Sequence, residues 1–239
     1  MHLDQLIYEG KAKDVYQTND EEVLRMVYKN QATALNGKRK EEILGKGLLN
    51  HQISDIIFSY LMANGIKTHF IENVSKTEQL VKRVEMIPIE VVLRNTIAGS
   101  FARKFDQVEG TKLTVPVIEY YYKNDALDDP GINESQIFAL NFATKIEMDE
   151  IKKQVLQINQ LLYKLFKDIN IDLIDFKLEF GRYHGELILA DEFSPDNARL
   201  WDSKTHKSLD KDIFRKKQGS IIPVYQDVLN RLKNRNEAI

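Results

Sequence analysis

An α+β fold of two lobes around a cleft is what this chain of 239 residues predicts. Three observations carry that expectation. Short β-type runs adjoin one another through brief turns instead of alternating regularly with helices, as βαβ units would. Three long amphipathic patterns are inserted among them. Hydrophobic residues make up 43% of the chain and charged residues 29%, enough apolar matter for a sizeable core. A lobe boundary is placed near residues 82–87, giving an N-terminal lobe 1–85 and a C-terminal lobe 86–239.

In chain order, residues 6–9, 15–18 and 23–28 read as short strands. Residues 47–64 carry Leu48, Leu49, Ile53, Ile56, Ile57, Tyr60 and Leu61 at helical spacing, with Gly65 as the C′ stop. Residues 69–74, 79–86 and 89–95 are again strand-like. The stretch 101–145 is mixed and loop-rich, with an edge strand at 115–120 that contains Pro116. A second helix begins near Met148, followed by strands 173–180 and 186–191 joined by a tight loop, Gly181 to Gly185. The last helix starts near Ile222, with Val224, Tyr225, Val228, Leu229 and Leu232 on one stripe.

The charge balance narrows the function. With 34 Lys and Arg against 36 Asp and Glu, the net charge is -2, so no global basic field invites nucleic acid or an anionic membrane. An anionic ligand has to be met by local clusters. There are no cysteines, which excludes disulfides, thiolate zinc sites and a cysteine nucleophile. Met1-His2-Leu3-Asp4-Gln5 shows no secretory pattern, and no apolar run approaches the ~18 residues of a membrane span. The expected location is the cytoplasm.

Asp175, Lys177 and Glu179 alternate with Phe176, Leu178 and Phe180, so one strand face is charged and the other apolar. A symmetric hairpin closed by the five-residue loop would set Glu179 opposite Leu187, Lys177 opposite Leu189 and Asp175 opposite Asp191. Parity then adds Asp191 to the charged face. Carboxylates crowded on a half-buried face repel unless a cation lies between them, and without Cys or clustered His the fitting ion is Mg²⁺, which usually brings phosphates. The segment therefore points to a metal–nucleotide centre. An ordinary amphipathic strand with a solvated face is the competing explanation for that strand alone.

Two further segments bear on it. Tyr8-Glu9-Gly10-Lys11-Ala12-Lys13 places a glycine turn and two lysines between strands, suited to covering phosphates, although it is no Walker A loop. By itself such a turn is more often a solvated basic loop. Glu90, Val92 and Arg94 share a strand face, and Arg94 precedes Ala98-Gly99-Ser100 at an apparent helix start. A guanidinium beside a helix N-terminus and a serine hydroxyl suits a phosphate monoester, and Arg199 can complete that pocket. A satisfied strand-end salt bridge is the plainer reading there.

Together these segments resemble the SAICAR synthetase family, enzymes of purine synthesis. The resemblance rests on 87–94 through Ala98-Gly99-Ser100, on Ile174-Asp175-Phe176-Lys177-Leu178-Glu179-Phe180-Gly181, on 8–13, on Tyr122-Lys123-Asn124-Asp125-Ala126 and on Asp191-Glu192-Phe193-Ser194-Pro195-Asp196, in order across nearly the whole chain. It implies a two-lobed α+β fold with an ATP cleft, distantly like protein kinases and ATP-grasp enzymes. The length leaves no room for a fused carboxylase domain, so the monofunctional microbial type is expected.

The implied reaction joins L-aspartate to the carboxylate of the ribonucleotide CAIR at the expense of ATP, giving SAICAR, ADP and phosphate through an acyl phosphate. The resemblance also implies roles. Gly10, Lys11, Ala12 and Lys13 cover the ATP phosphates, with Val81 to Val84 at adenine, and Glu179 and Asp191 hold Mg²⁺–nucleotide. Glu90 helps hold a metal at the CAIR carboxylate. Arg94, Ser100 and Arg199 take the CAIR phosphate, Asp196 lies near the ribose, and Lys177 stands between the substrates. Lys177, Lys13 and Asp175 are the expected catalytic residues. Lys123, Asp129, Lys211 and Arg215 belong to closing loops or to aspartate. Apolar positions on the last helix, with the family habit, suggest a homodimer. A small-molecule kinase using the same MgATP cleft is the first rival reading, and a non-catalytic nucleotide-binding module the second.

Overall fold

The computed structural model describes residues 5–34 and 39–237, so the reading of Met1-His2-Leu3-Asp4 falls outside the described residues. Three antiparallel strands open the chain, β1 (Leu6–Glu9), β2 (Lys13–Gln17) and β3 (Val23–Tyr28), followed by a hairpin of β4 (Gln31–Ala34) and β5 (Arg39–Glu42). Helix α1 (Lys46–Ala63) comes next, then β6 (Phe70–Asn73) and β7 (Glu78–Lys82). The first sheet has the order β1-β2-β3-β7-β6.

The stretch 79–86, expected as one strand, is broken. β7 ends at Lys82 and the chain crosses through Arg83 and Val84 into β8 (Glu85–Thr96), which belongs to another sheet. That second sheet is built with α2 (Gly99–Phe105), β9 (Lys112–Tyr122), β10 (Gly131–Ile132), α3 (Glu134–Ala139), α4 (Lys145–Asp168), β11 (Ile171–Tyr183), β12 (Glu186–Ala190) and β13 (Ala198–Asp202) in between and after. Its order is β10-β9-β8-β11-β12, with β13 also paired to β11. Pro88 sits within β8 where the ladder to β11 is irregular, between the pairs Glu179↔Glu90 and Gly181↔Met86. A residue without an N–H is tolerated at such a break. The chain ends with α5 (Asp212–Arg215) and α6 (Ile221–Glu237).

Helix α4 starts at Lys145, three residues before Met148, because Thr144 and Glu147 form a capping box. The Glu147 carboxylate accepts from Thr144 N at 2.7 Å, and the Thr144 hydroxyl accepts from Glu147 N at 3.2 Å. Its apolar stripe, Met148, Ile151, Val155, Ile158, Leu162, Leu165 and Phe166, is buried against β11. The stripe of α6 is buried too: Ile221, Tyr225, Val228, Leu229 and Leu232 pack into the same core, with α6 against α1. The last helix therefore offers its apolar side to its own chain, and this basis for a homodimer falls away. Among the described residues no helix is long and apolar enough to cross a membrane.

The hairpin of β11 and β12 differs from the symmetric five-residue loop expected. β11 continues to Tyr183, which pairs with Glu186, so the turn is the two residues His184 and Gly185. Both have positive φ, 50° and 80°, the primed geometry that matches strand twist. Consequently Glu179 pairs with Ala190 and Phe180 with Leu189. The register is three residues from the expected one, an odd number, and Leu189 belongs to the apolar core face.

Candidate active site

The site begins with a register between neighbouring strands. Glu179 pairs with Glu90, Lys177 with Val92 and Asp175 with Arg94, so the charged face of β11 lies beside that of β8. On the other edge of this stretch Asp175 pairs with Arg199 of β13. At ~3.3 Å per residue, Asp175 and Glu179 stand roughly 13 Å apart along the strand, with Lys177 midway. One end of the face thus gathers guanidinium groups and the other gathers carboxylates.

At the guanidinium end, Arg94 and Arg199 both donate to Asp175, at 2.7 and 2.9 Å to the same oxygen. Arg94 also reaches the Ser100 hydroxyl at 3.1 Å, and Arg199 reaches Asp212 at 3.0 Å. Gly99 has φ +56, and a Cβ there would lie 2.3 Å from Arg199 Nη2, so the guanidinium lies directly over the bare Cα. Asp175, expected on the metal face, instead bridges the two arginines and is 4% exposed.

At the other end, Lys177 Nζ donates to Glu90 at 2.6 Å and Glu179 at 2.9 Å. Lys123 supplies a second lysine to Glu179. Burial opposes the charge of Lys177, but Glu179 and Glu90 outweigh it and raise its pKa well above the ordinary lysine range. Burial likewise pushes against ionised Glu179, and the two lysines keep its pKa below normal.

Asp191 arrives there by a route that strand parity does not give. With Glu179 opposite Ala190, simple alternation would turn Asp191 to the opposite face. Its φ of 62° breaks the alternation just past β12 and brings the carboxylate to Lys13, at 2.5 Å. Asp191 therefore joins the charged side, as expected, but through a left-handed residue. Lys13, the first residue of β2, also meets Glu192 at 3.3 Å. Burial disfavours its charge, yet Asp191 and Glu192 raise its pKa strongly. The turn before it is closed by Gly10 N donating to Lys13 O at 2.8 Å; a Cβ on Gly10 would come 2.5 Å from that oxygen.

Two adjoining cavities occupy this surface. The larger, about 370 Å³, is lined by Arg94, Ser100, Asp175, Asp196, Arg199, Lys211 and Arg215 toward the guanidinium end. The smaller, about 180 Å³, is lined by Gly10, Lys13, Lys123, Glu179, and the apolar Val15 and Met26. Lys11, Ala12, Glu90, Lys177, Asp191 and Glu192 border both. Val81 is buried behind Met26 and outside both linings. Val84 packs against Gly181 at the crossing between the sheets. Asp129 also stays outside: its carboxylate accepts from Asn124 N at 2.9 Å and shapes the loop that carries Lys123. From that same loop Asp125 pairs with Lys11 at 2.7 Å.

Asp196 lines the larger cavity, but its carboxylate is already engaged. Fully buried Lys46 lies 2.5 Å away, the Tyr225 hydroxyl donates at 2.7 Å, and Lys211 is 3.7 Å away. Burial of Lys211 is the main reason its pKa falls to about 8, since neighbouring Lys46 and Arg215 add to the effect against Asp196. Sequence patterns do not mark Lys46, and they show Glu192 and Tyr225 only within a motif and on an apolar stripe, without a part in the site. Lys46 stands on a helix whose apolar spacing gave no sign of it, and Glu192 is adjacent to a recognised residue without a pattern of its own. Among the described residues no three His, Asp or Glu side chains converge as a metal site.

The sequence profile of the SAICAR synthetase family matches residues 6–232. Phosphoribosylaminoimidazole-succinocarboxamide synthase of Latilactobacillus sakei is 66% identical over 227 residues, covering 95% of this chain and 94% of the relative. The crystal structure of the synthase from Ehrlichia chaffeensis superposes with a TM-score of 0.94 at 45% identity, covering 96% of this chain and 98% of that one. A SAICAR synthetase solved in complex with ADP gives 0.92 at 42% identity, covering 95% and 97%.

Proposed function

The chain belongs to the SAICAR synthetase family, and from that membership we infer that it is an ATP-dependent ligase of purine biosynthesis, a phosphoribosylaminoimidazole-succinocarboxamide synthase. Its proposed substrates are ATP, CAIR and L-aspartate. The observation that carries the substrate assignment is the pair of adjoining cavities on one strand face, with Lys177 at their shared border. A kinase-like reading needs the nucleotide cavity and an acceptor; the fixed Arg94–Asp175–Arg199 cluster suits a ribonucleotide 5′-phosphate as that second anion. The lobe division at 85/86 is part of the proposal, supported by the change of sheet at Arg83 and Val84.

In this reading the smaller cavity takes ATP. Val15 and Met26 supply its apolar wall, with Val81 behind them, and the backbone of Lys11 and Ala12 with the Lys13 ammonium meets the phosphates. Glu179 and Asp191 border the same cavity and repel each other, and one or two carboxylates plus phosphate oxygens is the usual Mg²⁺ donor set. They are the residues that would hold Mg²⁺, with Glu90 next to them; the ion would neutralise charge on the phosphoryl oxygens.

The CAIR carboxylate oxygen attacks the γ-phosphorus and the bond to the ADP oxygen breaks, leaving an acyl phosphate. The amine of aspartate then attacks the acyl carbon, the carbon–oxygen bond to phosphate breaks, and the nitrogen loses its proton. Phosphorylation is needed because oxide is a poor leaving group. Lys177 sits where the two anions meet, its charge held by Glu90 and Glu179, and offsets the developing negative charge. Asp175 orients the arginines, and Asp196 holds Lys46 and Tyr225 under the ribose position. Lys211 and Arg215, which also line the larger cavity, are the cations assigned to the carboxylates of aspartate.

The test is incubation with MgATP and CAIR, with and without aspartate. One SAICAR per ADP, formed only with aspartate, supports ligation, as does transfer of oxygen-18 from the CAIR carboxylate into phosphate. Turnover to a stable phosphorylated product without aspartate overturns it in favour of a kinase.

A further inference from the structure

Arg94 lies at the centre of three strands, opposite Asp175 on β11 and Val117 on β9. Two residues beyond Val117 on the same face is Glu119, whose carboxylate accepts from Arg94 Nε at 2.5 Å. Nη1 is taken by Asp175 and Nη2 by Ser100, and the ring of Phe101 lies 5.7 Å from the guanidinium carbon. A guanidinium has five N–H donors. With Nε committed to Glu119 and Tyr121 a further hydrogen-bond partner, any donor left for a ligand belongs to the Nη end. An anion in the larger cavity therefore meets Arg94 end-on, and the Nε edge is closed to it.

The charges lead to the same residue. Arg94, Arg199, Arg215 and Lys216 are matched by Glu119, Asp175, Asp212 and Glu109, four against four. The cluster has no net charge, so it recognises an anion through fixed donors rather than through a strong field. On the reading of this cluster as the ribonucleotide phosphate site, we propose that Glu119 is a positioning residue for substrate binding: it fixes the guanidinium of Arg94 in the end-on orientation and keeps the pocket electrically neutral.

The experiment is steady-state kinetics of Glu119→Ala and Glu119→Gln in the full-length enzyme, with KM for CAIR and for ATP measured separately over 20–300 mM salt. Glu119→Ala, which frees the guanidinium, should raise KM for CAIR about tenfold or more while KM for ATP and kcat change less than about threefold. Glu119→Gln keeps an acceptor oxygen but removes the charge. It should recover most of the CAIR affinity and make KM for CAIR clearly more salt-dependent than in the parent.

A KM for CAIR within twofold of the parent in Glu119→Ala overturns the proposal, as does an equal rise in both KM values. If Glu119→Ala does not fold, Glu119→Gln decides alone: an unchanged salt dependence overturns it. Arg94→Ala separates the two levels. If it leaves KM for CAIR unchanged, the phosphate-site reading itself fails; if it raises KM and Glu119→Ala does not, only the role of Glu119 fails.

Discussion

Gly99→Ala tests how closely the anion site depends on backbone shape. The added methyl would stand 2.3 Å from Nη2, 2.6 Å from Cζ and 2.9 Å from Nη1 of Arg199. These atoms are the far end of a flexible side chain, so the guanidinium can retreat by the ~1 Å needed for van der Waals contact. The fold should survive. The cost of the left-handed conformation at φ +56 is roughly 1–2 kcal/mol for a residue with a Cβ. For a chain of this size that lowers Tm by about 2–8 °C. The retreat itself pulls Arg199 from Asp175 and Asp212, which hold it at 2.9 and 3.0 Å.

A charge-assisted hydrogen bond to substrate contributes about 1.5–3 kcal/mol. Losing one should raise KM for CAIR roughly 10- to 100-fold, with KM for ATP unchanged. Gly131→Ala is the control, because nothing lies within 4 Å of a Cβ there. Thermal unfolding and the two KM values are the assay. If Gly99→Ala keeps the parent's KM for CAIR, Arg199 is not held as described and the assignment of that end of the cavity is wrong.

Lys177→Gln should lower kcat about 10²–10³-fold while ADP affinity, measured by calorimetry, changes less than about tenfold; a kcat within threefold removes Lys177 from the chemistry. Lys211, with its pKa lowered to about 8, loses its charge above that pH. If it holds a substrate carboxylate, KM for aspartate should be flat below pH 8 and rise by up to about tenfold per unit above it, and Lys211→Arg should abolish the rise. Burial lowers His69 to about 4 from 6.5, and its Nε2 lies 2.9 Å from the carbonyl oxygen of Asp191. The unfolded chain binds that proton first, so this stability is complete above pH 6.5 and declines as pH falls toward 4, by about 3 kcal/mol in all. Urea titrations at pH 7 and 5 should show a smaller pH effect in His69→Gln than in the parent, and an identical effect in both would refute the assignment.

What the sequence revealed follows the range of the interactions that decide each feature. Alternation along one strand is local, so the charged face of Asp175, Lys177 and Glu179 and that of Glu90 and Arg94 were legible. Antiparallel pairing then needed only the register Asp175↔Arg94 to merge them. The hairpin register was not legible in the same way, because two glycines competed to mark the turn. Gly185 does belong to it, whereas Gly181 is a strand residue whose missing Cβ makes room for Val84, 2.6 Å from where that Cβ would stand.

A face assigned by counting residues across a turn inherits any odd error in the turn, and here the error was three. Asp191 nevertheless reached the expected side because aspartate, a residue type that visits the left-handed region, has positive φ there and meets Lys13 across the fold. Distance hides Lys46 from Asp196: the pair is made by packing between elements far apart in the chain, and a buried charge at the start of an apolar helix has no periodicity to announce it. Arg94 and Glu119 lie on neighbouring strands, and their contact depends on a register that neither strand shows by itself. Residues assigned to ligand in the proposed function fall into short readable patterns, while those that hold them in place are distributed across the fold. Mutagenesis confined to the readable segments would therefore miss much of what gives the site its geometry.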